Sequence, residues 1–132
     1  MKNTFKIIGY SETCGDKFFD IAITNKEGET HTDKWSEATV IEAARRLDRK
    51  NARFEIAEDE DLMNELSNIM YVEIAEETDS ETGKDEFDIY IHKFIVDEDI
   101  VELDGEGEYT KTYKSMKAAL NYANKRRMIA II

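Results

Sequence analysis

The feature that most constrains this chain is that its two halves spell out a similar order of elements. Ser11-Glu12-Thr13, a glycine turn and Phe19-Asp20-Ile21-Ala22-Ile23 recur as Ser80-Glu81-Thr82, Gly83 and Phe87-Asp88-Ile89-Tyr90-Ile91. Glu27-Gly28-Glu29 followed by Trp35 is echoed by Glu106-Gly107-Glu108 followed by Tyr113, and in each half a helical stretch comes next and closes on basic residues. Three strands and one helix bury a single apolar face, which a second copy can help to cover. The pattern predicts an α+β fold, an antiparallel sheet with helices packed on it, arranged as a tandem pseudo-duplication of a β-β-β-α unit. Residues 1–57 form the first β-β-β-α-β unit in this reading, residues 58–70 a connecting helix, and residues 71–132 the second β-hairpin/β-α unit, all sharing one compact fold. A length of 132 residues with 41% hydrophobic side chains is enough for such a core.

Local signals give the same order. Thr4 to Ser11 alternates apolar and polar residues, Cys14-Gly15-Asp16 is a turn, and Phe18 to Thr24 reads as the returning strand. After the turn Asn25-Lys26-Glu27-Gly28, the threonine-rich Glu29 to Lys34 suits a third strand. Ser36 is a good N-cap, Trp35 and Val40 have staple spacing, and Val40, Ile41, Ala44 and Leu47 make an inner face. Arg53 to Ala57 predicts a short strand, and Glu58 to Met70 a second helix whose acidic start complements its dipole. Tyr71 to Glu77 and Glu86 to Phe94 then pair as a hairpin. Ile95 to Leu103, which has no counterpart in the first half, lengthens the strands or adds one. Thr112 or Ser115 caps a last helix with Met116, Ala119, Leu120 and Ala123 inward, and Met128 to Ile132 is a closing strand. Proline is absent, so glycine, asparagine and aspartate make the turns.

The formal charge of -12 is segregated along the chain. Residues 55–108 hold 21 acidic and 2 basic side chains, residues 1–54 hold 9 and 10, and residues 109–132 hold 6 basic and no acidic ones. Such a balance disfavours direct contact with nucleic-acid phosphates or an anionic membrane and favours a basic partner. Mimicry of a phosphate backbone needs carboxylates on a rigid frame, and Glu58, Asp59, Glu60, Asp61, Glu65, Glu76, Glu77 and Asp79 fall on the acidic helix and hairpin. These are the candidate partner-binding residues. The basic residues Lys111, Lys114, Lys117, Lys125, Arg126 and Arg127 are expected to complement the acidic half within the molecule, the alternative being a nucleic-acid contact.

No catalytic or cofactor signature emerges. Glu102, Asp104, Glu106 and Gly107 imitate the start of a calcium loop, but Tyr113 stands where a bidentate glutamate is required. His31 and His92 do not make a zinc pattern, and Cys14, the single cysteine, has no partner and sits beside Asp16 where a thiolate is not stabilised. The expectation is a protein that is not an enzyme, takes no cofactor or metal and is cytoplasmic. Met1 to Tyr10 lacks the apolar core of a signal peptide, and no apolar run reaches membrane-spanning length. The sequence does not set the oligomeric state.

Three antiparallel strands followed by a packed helix, with the strand-to-helix junction in Thr32 to Leu47, resemble the small DNA-binding domains at the start of tyrosine recombinases. That resemblance implies a topology. It does not imply their activity, because the candidate strands and turns here carry Glu12, Asp16, Asp20, Glu29, Asp85, Glu86 and Asp88. In size, acidity and lack of chemistry the chain is similar to phage-encoded inhibitors of CRISPR or restriction systems. The functional expectation is an inhibitor of that type, blocking the basic nucleic-acid-binding surface of a host protein.

Overall fold

The computed structural model describes residues 3–132; the reading of Met1 to Tyr10 falls in part on Met1 and Lys2, outside the described residues. Among these residues the chain forms nine strands and three helices, an α+β architecture on a mostly antiparallel open sheet. The contacts divide into two compact units. One takes in the chain up to Ile69 together with Phe94–Leu103, and the other comprises Met70–Lys93 and Asp104–Ile132.

In the first unit, β1 (Thr4–Thr13) and β2 (Asp16–Thr24) pair antiparallel through a two-residue loop, Cys14-Gly15. Both loop residues have positive φ, 54° and 83°, the backbone that matches the twist of a tight hairpin. Each strand runs two residues further into the turn than the alternation suggests, because the hairpin ladder closes right up to the loop. β3 (Thr30–Ser36) lies on the far side of β2, and β4 (Phe54–Ile56) returns parallel to β1. β7 (Ile100–Leu103) then extends the sheet beside β4, with the end of β6 (Asp85–Asp97) beyond it. The order in this unit is β3-β2-β1-β4-β7-β6. The stretch without a counterpart thus both lengthens a strand and adds one.

Helix α1 (Glu37–Arg49) starts where Ser36 Oγ accepts from the Thr39 N–H. It buries Val40, Ile41 and Ala44, while Leu47 is only half buried. Phe5, Trp35 and Phe54 close on one another with ring centroids 5.8–6.3 Å apart. α2 (Glu60–Ser67) is shorter than the periodicity implies, because Ile69 N–H turns back onto Leu66 O and Met70 already begins the next strand. It belongs to the first unit, where Leu62 and Leu66 are buried.

In the second unit, β5 (Met70–Thr78) pairs antiparallel with the first part of β6, β8 (Glu108–Tyr113) pairs antiparallel with the other side of β6, and β9 (Ile129–Ile131) returns parallel to β5. α3 (Met116–Lys125), capped by Ser115 on the Ala118 N–H, covers one face. Its core is Val72, Ile74, Ile89, Ala119, Tyr122 and Ala123, with Leu120 and Met116 partly buried against it.

Both α1 and α3 end in a left-handed residue that is not glycine. Asn51 has φ 56° and Arg127 φ 55°, and the bonds Ala52 N–H to Leu47 O and Met128 N–H to Ala123 O complete the six-to-one closure of a Schellman motif. Side chains with a Cβ are strained there by about 1 kcal/mol. Arg127→Gly should therefore stabilise the protein by about 1 kcal/mol in urea unfolding, and Asn51→Gly by less. Ser115→Ala, which removes the cap of α3, should cost about 1 kcal/mol.

Candidate functional site

The eight acidic residues singled out by sequence fall in both units and differ in what their carboxylates do. In the first unit Asp59 is the N-cap of α2, its Oδ1 accepting from the N–H groups of Asp61 at 3.0 Å and Leu62 at 3.2 Å. Glu65 is tied to Lys17, Nζ to Oε2 3.3 Å. Glu58, Glu60 and Asp61 are exposed, and Glu58 lines a shallow hollow with Glu98 and Asp99 from the β6–β7 turn. In the second unit Glu76 and Glu77 are exposed near the end of β5, whereas Asp79 organises the following turn through the N–H groups of Glu81 and Thr82. Asp59, Glu65 and Asp79 thus serve local structure first.

Around Lys17 three charges adjust one another. Burial alone would lower the Lys17 ammonium, but the hydrogen bond and negative charge of Glu65, with Glu37 nearby, outweigh it and hold Lys17 above its usual range. Burial raises Glu37 and the neighbouring Glu65 adds to this, against the pull of Lys17.

Sequence reasoning missed the sheet face of the second unit that α3 leaves uncovered. Strand alternation sends Val72, Ile74, Phe87, Ile89 and Ile91 toward α3. The opposite face therefore carries rows of cross-strand neighbours: His92 with Tyr71, Tyr109 with Tyr90 and Glu73, Thr112 with Asp88 and Ala75, and Glu86 with Glu77. Tyr90 and Tyr109 meet edge to face at 5.8 Å, and Tyr109 is 55% exposed. Thr112 Oγ1 donates to Asp88 Oδ1 at 2.5 Å and lies 2.6 Å from the Tyr109 hydroxyl, so that hydroxyl donates to it and the three groups form a chain. Partial burial, then the charges of Asp88 and Glu77, hold the Tyr90 hydroxyl above the usual tyrosine range. The alternating positions were legible; that Tyr109 lies opposite Tyr90 was not, because a register shift between Ile89 and Tyr90 sets that pairing.

His92 makes a second arrangement invisible in sequence. Its ring stacks on Tyr71 with centroids 4.9 Å apart and planes 7° from parallel. Nε2 lies 2.9 Å from Glu73 Oε1 and Nδ1 lies 3.1 Å from Asp104 Oδ1, while Asp104 Oδ2 accepts from the Lys93 N–H. The ring stands between the two carboxylates, and its contact with Asp104 ties the 104–107 connection to the sheet. With 5% of the residue exposed and both nitrogens engaged, His92 offers no nitrogen to an incoming substrate. The segment that imitated a calcium loop ends in this clasp, and among the described residues no group of three or more His, Cys, Asp or Glu is placed to hold a metal ion.

Two of the basic residues in the second unit lie over aromatic rings. Arg126 lies over the Tyr122 ring at 3.6 Å and Lys111 over Tyr113 at 4.9 Å. Arg126 also donates from Nη1 to the Tyr122 carbonyl at 3.3 Å. No helix among the described residues is long and apolar enough to cross a membrane. Comparison with family models, with curated proteins and with solved structures finds no match.

Gly107 has φ +80°, and a Cβ there would stand 2.8 Å from His92 ring atoms; Gly105 has φ +77° and open space. Gly107→Ala should cost about 1–3 kcal/mol more than Gly105→Ala in chemical unfolding, the excess measuring the clasp. Glu37 binds its proton more readily folded than unfolded, so its contribution to stability is complete below its ordinary value of 4.5 and is lost as pH rises through the folded value. Glu37→Gln, fixed neutral, should gain in melting temperature on the parent between about pH 4 and about pH 7. A difference that stays flat with pH would remove burial as the cause.

Proposed function

We propose that this chain is a non-enzymatic, acidic protein-binding module that blocks a basic nucleic-acid-binding surface on another protein. The observation that carries the reading is that exposed carboxylates are held on regular structure: Glu58, Glu60 and Asp61 at the start of α2, Glu76 and Glu77 on β5. Within each unit, carboxylates on a helix or a strand keep their spacing, as imitation of a phosphate backbone demands, and a charge of -12 opposes nucleic acid as the direct ligand. The partner in this reading is a nucleic-acid-handling host enzyme in the cytoplasm, and the module acts as phage or mobile-element inhibitors of CRISPR or restriction enzymes do.

The same proposal takes the two units as copies of one β-β-β-α-β element. In each, the second strand pairs with the first and third, the last strand is parallel to the first, and a serine-capped helix ends in a Schellman motif closed by a residue other than glycine. Duplication gives a binder two related frames on which surface charge can diverge.

Charge reversal tests the function. The variant Glu58→Lys/Glu60→Lys/Glu76→Lys/Glu77→Lys leaves the cap Asp59 and the turn residue Asp79 in place. It should unfold in urea as the parent does, yet lose about tenfold or more in affinity for a basic nucleic-acid enzyme that the parent binds and that duplex DNA displaces. Undiminished binding by the variant contradicts the acidic-surface reading. Binding of the parent to duplex DNA at low salt would point instead to the α3 cations Lys117 and Lys125, with Arg126 and Arg127 beyond them.

A further inference from the structure

The open sheet face of the second unit carries more than charge. At the positions matched by the repeated Phe-Asp-Ile motif, the first unit has Asp20, Ala22 and Thr24, whereas the second has Asp88, Tyr90 and His92. Small residues suffice for a solvated face, so a paired Tyr90 and Tyr109 has a cost in exposed apolar area that solvation does not explain. Two rows along, Glu77 and Glu86 stand directly opposite each other across β5 and β6. Like charges in that position repel, and a cation between them relieves the repulsion. Between these rows Ala75 lies opposite Asp88, so the floor is low there.

We propose that this face, β8-β6-β5 of the second unit, binds an arginine-bearing extended segment of the basic partner. The inference rests on the reading of the chain as an acidic protein-binding module and names where and what it binds. A guanidinium is flat, stacks on a tyrosine ring and presents paired donors to a carboxylate, which an ammonium does not. Tyr90 and Tyr109 supply the ring surface, and the hydrogen-bonded chain from Tyr109 through Thr112 to Asp88 holds it in place. Glu77 and Glu86 supply the carboxylates, both two rows away. Successive rows are two residues apart along β6, about 6.6 Å, the same distance that separates alternate side chains of an extended peptide. Arginines at every second position therefore meet successive rows.

The test uses the full chain and two fluorescein-labelled peptides, (Arg-Ser)4 and (Lys-Ser)4, followed by anisotropy at about 50 mM and about 200 mM salt. The expected result is tighter binding of the arginine peptide, by about threefold or more. The variant Tyr90→Thr/Tyr109→Thr should lose about tenfold for that peptide, and Glu60→Lys/Asp61→Lys on α2 less than about threefold. Amide shift mapping on the unmodified protein should place the arginine peptide on residues 73–77, 86–90 and 109–112, which keeps the question answerable if the tyrosine variant misfolds. Equal binding of both peptides with no loss in the tyrosine variant, or shifts centred on α2, overturns this face while leaving the acidic-binder reading intact. If neither peptide binds the parent at low salt, both readings are overturned.

Discussion

A three-stranded antiparallel sheet with one apolar face is unstable in water until that face is covered, and everything else in each unit follows from how the chain covers it. In the first unit Ile7, Phe19 and Ile21 of the sheet are fully buried, as are Val40 and Ile41 of α1; in the second, Val72, Ile74 and Ile89 cluster with Ala119 and Ala123 of α3. The helix must then hand the chain back to the first strand, so β4 and β9 are parallel additions. The reversal at the helix end is tight enough to force a left-handed backbone on whatever residue stands there, which is why Asn51 and Arg127 share the same geometry.

The order of elements was legible because it rests on local chemistry: alternation in β1 and β2, Ser36 and Ser115 as caps, glycine and asparagine in the turns. Two things were not. The length of α2 was overstated because Ile69 and Met70 continue its apolar period while the backbone has already turned toward β5; periodicity cannot see where a strand's pairing wins. The pairing of β7 with β4 was equally hidden, since Phe54 and Val101 lie far apart in sequence and nothing local joins them.

The candidate site was legible only as charge. Counting carboxylates finds the acidic middle of the chain but cannot separate Asp59 and Asp79, which saturate backbone donors, from Glu60 and Glu77, which face solvent. Nor can it place Tyr109 against Tyr90 or close His92 between Glu73 and Asp104, because those depend on register and on a connection folding back over the sheet. One consequence is that acidic residues near one another in sequence have unlike roles, so surface function here has to be argued carboxylate by carboxylate.

The partition of the chain has a consequence for synthesis. The first unit is not complete at Ile69: it takes back Phe94–Leu103, whose β7 supplies the ladder beside β4 and the buried Val101. During translation, β4 therefore waits with an unpaired edge until Leu103 has left the ribosome, by which time the hairpin of the second unit has already emerged. At about 5–20 residues per second that wait lasts a few seconds, long compared with hairpin closure. The first unit thus completes its sheet only late in synthesis, and a ribosome stalled before β7 would present the unpaired strand edge that chaperones and aggregation compete for.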